Sequence, residues 1–427
     1  MKRGTKLFAS LLLTASLGLT ACSGGGSSTP TQPGAGGGPS TAAAKVKIRL
    51  ATWVGADEAK ELQGVIDKVN AKATTYEIVS EPIPADYYTK IQTMIAGTTA
   101  PDLMWLGAEY MAPYASKGAL LDLTDRLPKD SRAAAKVDDY FKPVMDAAQW
   151  NGKTYGLPWI AQPVILYYNK ALFKAAGVPE PTDDWTWQTF QDAAKKLTDK
   201  SKGQYGTTFN GWPPVQMFIW QAGGEVISPD LKSSPVDSPE AIKGLEFYSS
   251  IIYNEAVSPA RNVISEQGTG DMFKKGKIAM IFGGAADDLD RAPGLDVGVA
   301  RVPKGPKDRT TFAWTASTAI SAQTKNPQQA YDALVDLTEG VQNWKVLAPR
   351  KSMATKEQII KSDPRKEKAA DVIIKAAADM RAFRVVPRHP EWDTTFFEQL
   401  QDPLYSKKGT AADLAKAVRP KLEALLK

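Results

Sequence analysis

One cysteine and one histidine are all that the chain holds of two side chains central to catalysis and metal binding. With Cys22 alone, no internal disulfide can form, so stability must come from buried cores. The Ser-His-Asp, Cys-His and zinc arrangements lose the members they need. Asp287, Asp288 and Asp290 lack the spacing of an EF-hand loop, so no metal site and no cofactor are expected. Long apolar runs are also missing. The one candidate, Leu7 to Leu19, has about 13 residues where a bilayer needs about 20. A net charge of +6 and a pI near 9.0 could suggest a nucleic-acid binder, yet the basic residues alternate with acids through Lys195–Lys202 and Lys356–Lys368. No basic stripe or nucleic-acid motif emerges, so nucleic acid is not an expected partner.

What the first residues do carry is a pattern. Lys2, Arg3 and Lys6 precede the short apolar run, which ends at Leu19-Thr20-Ala21-Cys22. A basic start, a short apolar stretch and small residues before a cysteine make a bacterial lipoprotein signal over 1-21, with Cys22 as the point of lipid attachment. Residues 22-44 are almost wholly Gly, Ser, Thr, Pro and Ala, a composition with nothing to bury, and read as a flexible tether. The expected location is the outer face of the cytoplasmic membrane, in a periplasm or at a cell surface.

The rest of the chain exceeds what one core usually supports, so two domains are expected. Val46–Leu50 alternates like a strand, and Leu62, Val65, Ile66 and Val69 then follow helical spacing. Tyr76–Val79 is strand-like, Asp86 opens a helix to about Ala96, and Asp102–Leu106 is a short apolar strand. This alternation predicts an α/β fold with a parallel sheet. Val164–Tyr168 reads as a buried strand. Helical spacing recurs over 171–176, 188–197, 239–253, 326–337, 362–380 and 411–426, making the C-terminal half helix-rich.

Four segments then stand in a familiar order: Ala100-Pro101-Asp102-Leu103 with Gly118-Ala119-Leu120-Leu121-Asp122-Leu123; Gly152-Lys153-Thr154-Tyr155-Gly156-Leu157-Pro158 with Tyr168-Asn169-Lys170; Gly276-Lys277-Ile278-Ala279-Met280; and Ala319-Ile320-Ser321 with Lys325-Asn326-Pro327. Together they resemble the family 1 extracellular solute-binding proteins. The resemblance implies a two-lobed periplasmic-binding-protein fold of type II character, each lobe a mainly parallel sheet flanked by helices. Lobe 1 is expected at 45-157 plus 299-345 and lobe 2 at 158-298 plus 346-427. It also implies a monomer that captures a carbohydrate, a di- or oligosaccharide, by hinge closure and delivers it to the transmembrane subunits of an ABC permease.

Eleven tryptophans supply the indole faces that pack on sugar rings, while hydroxyls need donors and acceptors. Trp53 follows the first strand, where open α/β sheets present ligands. By likeness to maltose-type members, Asp57 is a ligand residue, though it could equally cap the helix starting there. Glu109 matches an acid that meets sugar; Trp105 reads equally as core. Trp159 and Gln162 stand at the first crossing between lobes, where Gln162 replaces an acid and Trp159 could instead wedge the hinge. Trp212 sits on a loop fixed by Gly211, Pro213 and Pro214, and Trp220 reads as core. Gly283 and Gly284 permit close backbone approach, but alanine stands where relatives carry a tryptophan. Trp314 precedes the third crossing, and Trp392 matches a stacking tryptophan of the last helices. Arg350 and Arg388 could bind hydroxyls or an anionic group, or be surface arginines.

Three rivals remain open on the sequence. Inward-pointing arginines would favour a glycerophosphodiester or another anionic solute. A cell-surface glycoside hydrolase would also show tryptophans and paired carboxylates in a cleft. A structural or adhesive lipoprotein would have no small ligand at all. The expectation is a binding protein rather than an enzyme.

Overall fold

The computed structural model describes residues 44–427 apart from 254–255, 292–293, 343 and 346. The signal at 1-21, Cys22 and nearly all of the tether lie outside the described residues.

The first third alternates as its periodicity requires: β1 (Val46–Thr52), α1 (Ala56–Lys72), β2 (Tyr76–Pro82), α2 (Tyr87–Ala96), β3 (Leu103–Gly107) and α3 (Ala108–Ser116). In α1 the stripe of Leu62, Ile66 and Val69 is buried, at one turn per step, against the helix α11 (Pro327–Val341). β1 lies between β2 and β3, parallel to both. A short helix α4 (Lys142–Asp146) and a hairpin of β4 (Gln149–Trp150) and β5 (Lys153–Thr154) lead to the longest strand, β6 (Gly156–Asn169).

The sequence between β6 and the next strand is helical: α5 (Lys170–Ala175), α6 (Trp187–Lys196), α7 (Val215–Ala222), α8 (Pro239–Tyr253), α9 (Arg261–Gln267) and α10 (Thr269–Lys274). α6 starts where Thr186 and Thr189 cap each other's backbone N–H groups. Then come β7 (Met280–Gly284), β8 (Val297–Ala300) and β9 (Thr311–Ile320). After α11 follow α12 (Lys356–Ser362), α13 (Ala370–Ala377), β10 (Met380–Arg381), α14 (His389–Phe396), α15 (Asp402–Tyr405) and α16 (Ala411–Ala424), with a π-helical stretch over Phe397–Gln401. Of the single helix expected over 362–380, only α13 is α-helical: α12 ends at Ser362, Asp363 caps a 3-10 turn that opens on Pro364, and Met380 begins β10.

One sheet runs β2-β1-β3-β9-β6-β7, with β8 beside β6 and β10 beside β9. β6 and β9 are antiparallel and pass through both lobes. Gly156–Leu157 pairs with Thr318–Ala319 in the first lobe, Gln162 faces Trp314 midway, and Val164–Asn169 pairs with β7 and β8 in the second. Parallel order holds for β2-β1-β3, whereas β7 and β8 run antiparallel to β6, so the expectation of a mainly parallel sheet in both lobes is corrected for the second. β7 and β8 flank β6 at the same residues, Leu166–Tyr168, and both run opposite to it. Each side of the crossing has its own packed cores: Ile48, Leu50, Leu62, Ile66, Trp105 and Leu334 in the first lobe, Phe190, Phe209, Phe218, Tyr248, Phe282 and Trp392 in the second.

Candidate functional site

A pocket of about 360 Å³ opens between the lobes, and both contribute walls. Glu109 enters it from the first turn of α3. From the other side come Trp212 and Gln216 before and within α7, Phe312 and Trp314 of β9, and His389 and Asp393 of α14. Phe397 and Gln401, both in the π-helical stretch, complete the rim. A π-bulge widens a helical turn and is frequent at functional sites. Phe397, at the start of this stretch, is 49% exposed, the one exposed large hydrophobic side chain among the described residues.

Of the residues expected from the sequence, the structure brings Glu109, Trp212 and Trp314 into this pocket. Glu109 folds back over its own helix start: a Cβ on Gly107 would stand 2.6 Å from Glu109 Oε1. Burial raises its pKa despite a hydrogen bond from its own backbone N–H, and the charge of Asp393 adds to the rise. Asp393 stands more open to water, yet the cleft wall still desolvates its carboxyl and raises it too. Trp212 is half-buried and edge-on to Phe312 at 5.6 Å. The loop before it turns at Gly211, whose φ of 100° no bulkier residue adopts easily, and whose N–H donates to the buried Tyr248 hydroxyl at 3.2 Å.

Trp314 connects this pocket to an aromatic cluster of the first lobe. Trp53 lies edge-on to it at 6.2 Å and to Trp105 at 5.3 Å, and Trp159 stacks on Trp105 at 4.1 Å. Trp159 sits where the β6–β9 register shifts between Pro158 and Ile160, and the bulge turns its indole into the core. Tyr87 fixes this cluster from behind, its hydroxyl donating to Ala51 O at 3.0 Å and accepting from Trp105 N at 3.1 Å. Trp53 is half-buried within the cluster and Trp105 is core; neither these nor Trp159 lines the pocket.

The remaining candidates stand elsewhere. The Asp57 side chain is 98% exposed and, among the described residues, its one ion pair is with Lys60, one turn on. It lies in the first turn of α1 where a carboxylate suits the helix dipole, although Gly55 is the N-cap. Gln162 donates to Asp287 Oδ1 at 3.0 Å, while Gly284 N donates to the other carboxylate oxygen at 2.8 Å. Gly284 is needed there, because a Cβ would meet Gln162 Nε2 at 2.0 Å; Gly283 is buried in β7, paired with Ile165. Arg350 is buried and bonds Asp139 at 2.9 Å in place of any ligand. Burial works to raise Asp139, but Ser352 and Arg350 outweigh it and hold the carboxyl low. Arg388 is exposed and grips Glu391, one turn along its own helix. Trp392 is 1% exposed, stacked between His389 and Phe396.

Sequence reasoning missed Asp393, His389, Gln216, Phe312 and Phe397. Helical phase carried the signal for two of them: Trp392 and Phe396 on the buried stripe of α14 turn Asp393 and Phe397 away from it.

The fold thus has two lobes joined by a pair of long strands, with a pocket lined from both. Residues 55–335 match the bacterial extracellular solute-binding protein family. The chain belongs to that family. Relatives within it include a binding protein of Brucella abortus, 27% identical over 81% of this chain and 85% of the relative. The galactooligosaccharide-binding protein of Bacillus subtilis is 24% identical over 74% and 76%. Among solved structures, an ABC substrate-binding protein of Listeria monocytogenes in complex with cycloalternan superposes with a TM-score of 0.77 at 24% identity, covering 89% of this chain and 98% of that one. These solute-binding proteins are binding proteins rather than enzymes, and this chain shares their two-lobed α/β fold.

Proposed function

We propose that this solute-binding protein captures a carbohydrate, a di- or oligosaccharide, in the pocket between its lobes and delivers it to an ABC permease. The observation that carries the reading is the lining. Trp212, Trp314, Phe312 and Phe397 line the pocket together with the carboxylates of Glu109 and Asp393 and the amide of Gln216. Flat C–H faces of a sugar suit the rings, and its hydroxyls suit the acceptors. Relatives that bind galactooligosaccharide and cycloalternan support the same class. The anionic alternative lacks support: no Lys or Arg lines the pocket among the described residues, and Arg350 and Arg388 are paired with acids elsewhere.

Closure would pivot where β6 and β9 pass each other at Gln162 and Trp314, since a ligand touching both lobes favours the closed population. Cys22, lipid-modified, would hold the receptor at the membrane as a monomer near its importer.

A thermal-shift screen against a panel of mono-, di- and oligosaccharides tests the reading. A ligand at about a hundred times its Kd stabilises the native state by about 2.7 kcal/mol, a rise of several degrees. A hit that is bound and recovered unhydrolysed supports a receptor. No hit across the panel, or turnover of one, would sink it.

A further inference from the structure

We infer that the carbohydrate this pocket selects carries a protonated amine, held between Glu109 and Asp393. The inference rests on the carbohydrate reading above and narrows it to amino sugars. Glu109 is on α3 of the first lobe and Asp393 on α14 of the second, and these two helices pack against each other across the cleft. Among the described residues neither carboxylate has a basic partner. The groups acting on Glu109 are its own backbone N–H and Asp393, and burial alone acts on Asp393.

The rest of the polar lining points the same way. Gln216 and His389 are each only 4% exposed, and Gln216 Oε1 and His389 Nδ1 have no hydrogen-bond partner. Burial lowers the His389 pKa to about 4, so its imidazole is neutral at physiological pH and adds no positive charge. Two carboxylates, an amide oxygen and a neutral imidazole are mostly acceptors. They suit a donor-rich ligand, and the two carboxylates stand in one pocket without a basic partner among the described residues. Hydroxyls satisfy the first need alone. An ammonium offers three donors and a charge, and Trp212 and Trp314 line the same pocket, indoles being side chains that attract a cation. A cation between the two carboxylates also draws the lobes together.

The test is calorimetric titration of the whole receptor with matched sugars differing only in an amine for a hydroxyl: glucosamine against glucose, galactosamine against galactose, and β-1,4-linked glucosamine oligomers against β-1,4-linked glucose oligomers. The N-acetylated forms, equal in size but uncharged, control for shape. In at least one pair the amine is expected to bind at least about tenfold tighter than both neutral forms, the equivalent of one well-placed charge pair. Glu109→Gln and Asp393→Asn should each remove most of that advantage. Melting temperatures of the unliganded variants check folding, and because Asp393 is the more open of the two, its substitution serves if Glu109→Gln disturbs the core. Neutral sugars binding as well as or better than the amines would overturn the inference and leave the carbohydrate reading standing. Amine preference surviving both substitutions would overturn the assignment to these residues. Binding of neither class would sink both.

Discussion

Trp212 stands half-buried on the pocket wall, whereas Trp392 lies 1% exposed between two stacked rings. The same side chain therefore has different consequences at the two positions. Trp212→Ala is expected to cost roughly 1.5–3 kcal/mol of ligand binding, the value of burying one large apolar side chain, with little change in denaturation midpoint. Trp392→Ala should instead cost about 3–5 kcal/mol of stability, as core aromatic truncations do, read from urea unfolding. Equal effects of the two on stability would contradict the placement. Likeness to maltose-type members, together with the fixed loop around Trp212, pointed to Glu109, Trp212 and Trp314, which line the pocket. Asp57, Arg350 and Arg388 were not separable in that way, since whether a charge meets solvent, an acid or a ligand depends on residues far along the chain. Asp139, the partner of Arg350, is 211 positions away.

At the scale of elements, local pattern carried α1, α6 and α8 to within a residue or two, because each has a clear apolar stripe and start signals. The pairing of β6 with β9 was not legible. It joins residues 150 or more positions apart, and strand direction depends on what connects them rather than on alternation. The crossing these strands form is held by Gln162, Gly284 and Asp287. Gly284→Ala drives a methyl to 2.0 Å from Gln162 Nε2 and 2.9 Å from its Cγ, so the whole side chain must leave. A loss of about 1–3 kcal/mol is expected in chemical denaturation, typical of overpacking. Adding Gln162→Ala should recover most of it, since the clash then has no partner. A double variant as unstable as the sum of the two would show that the strain lies in the backbone instead.

Taken as a whole molecule, the protein is basic, yet its pocket is acidic and aromatic. Net charge thus says little about the ligand, while the lining selects it. With two lobes, a shared pair of long strands and a pocket lined from both sides, a ligand that touches both walls would favour the closed population. The central claim is that a carbohydrate is held by both lobes at once. Its most direct measurement is titration calorimetry of the sugar that stabilises the protein, against the wild type, Glu109→Gln from the first lobe and Trp212→Ala from the second. The account predicts that each substitution weakens Kd at least about tenfold, since each removes a contact worth about 1.4 kcal/mol or more. Unchanged Kd in either variant would place the ligand on one lobe alone and contradict it.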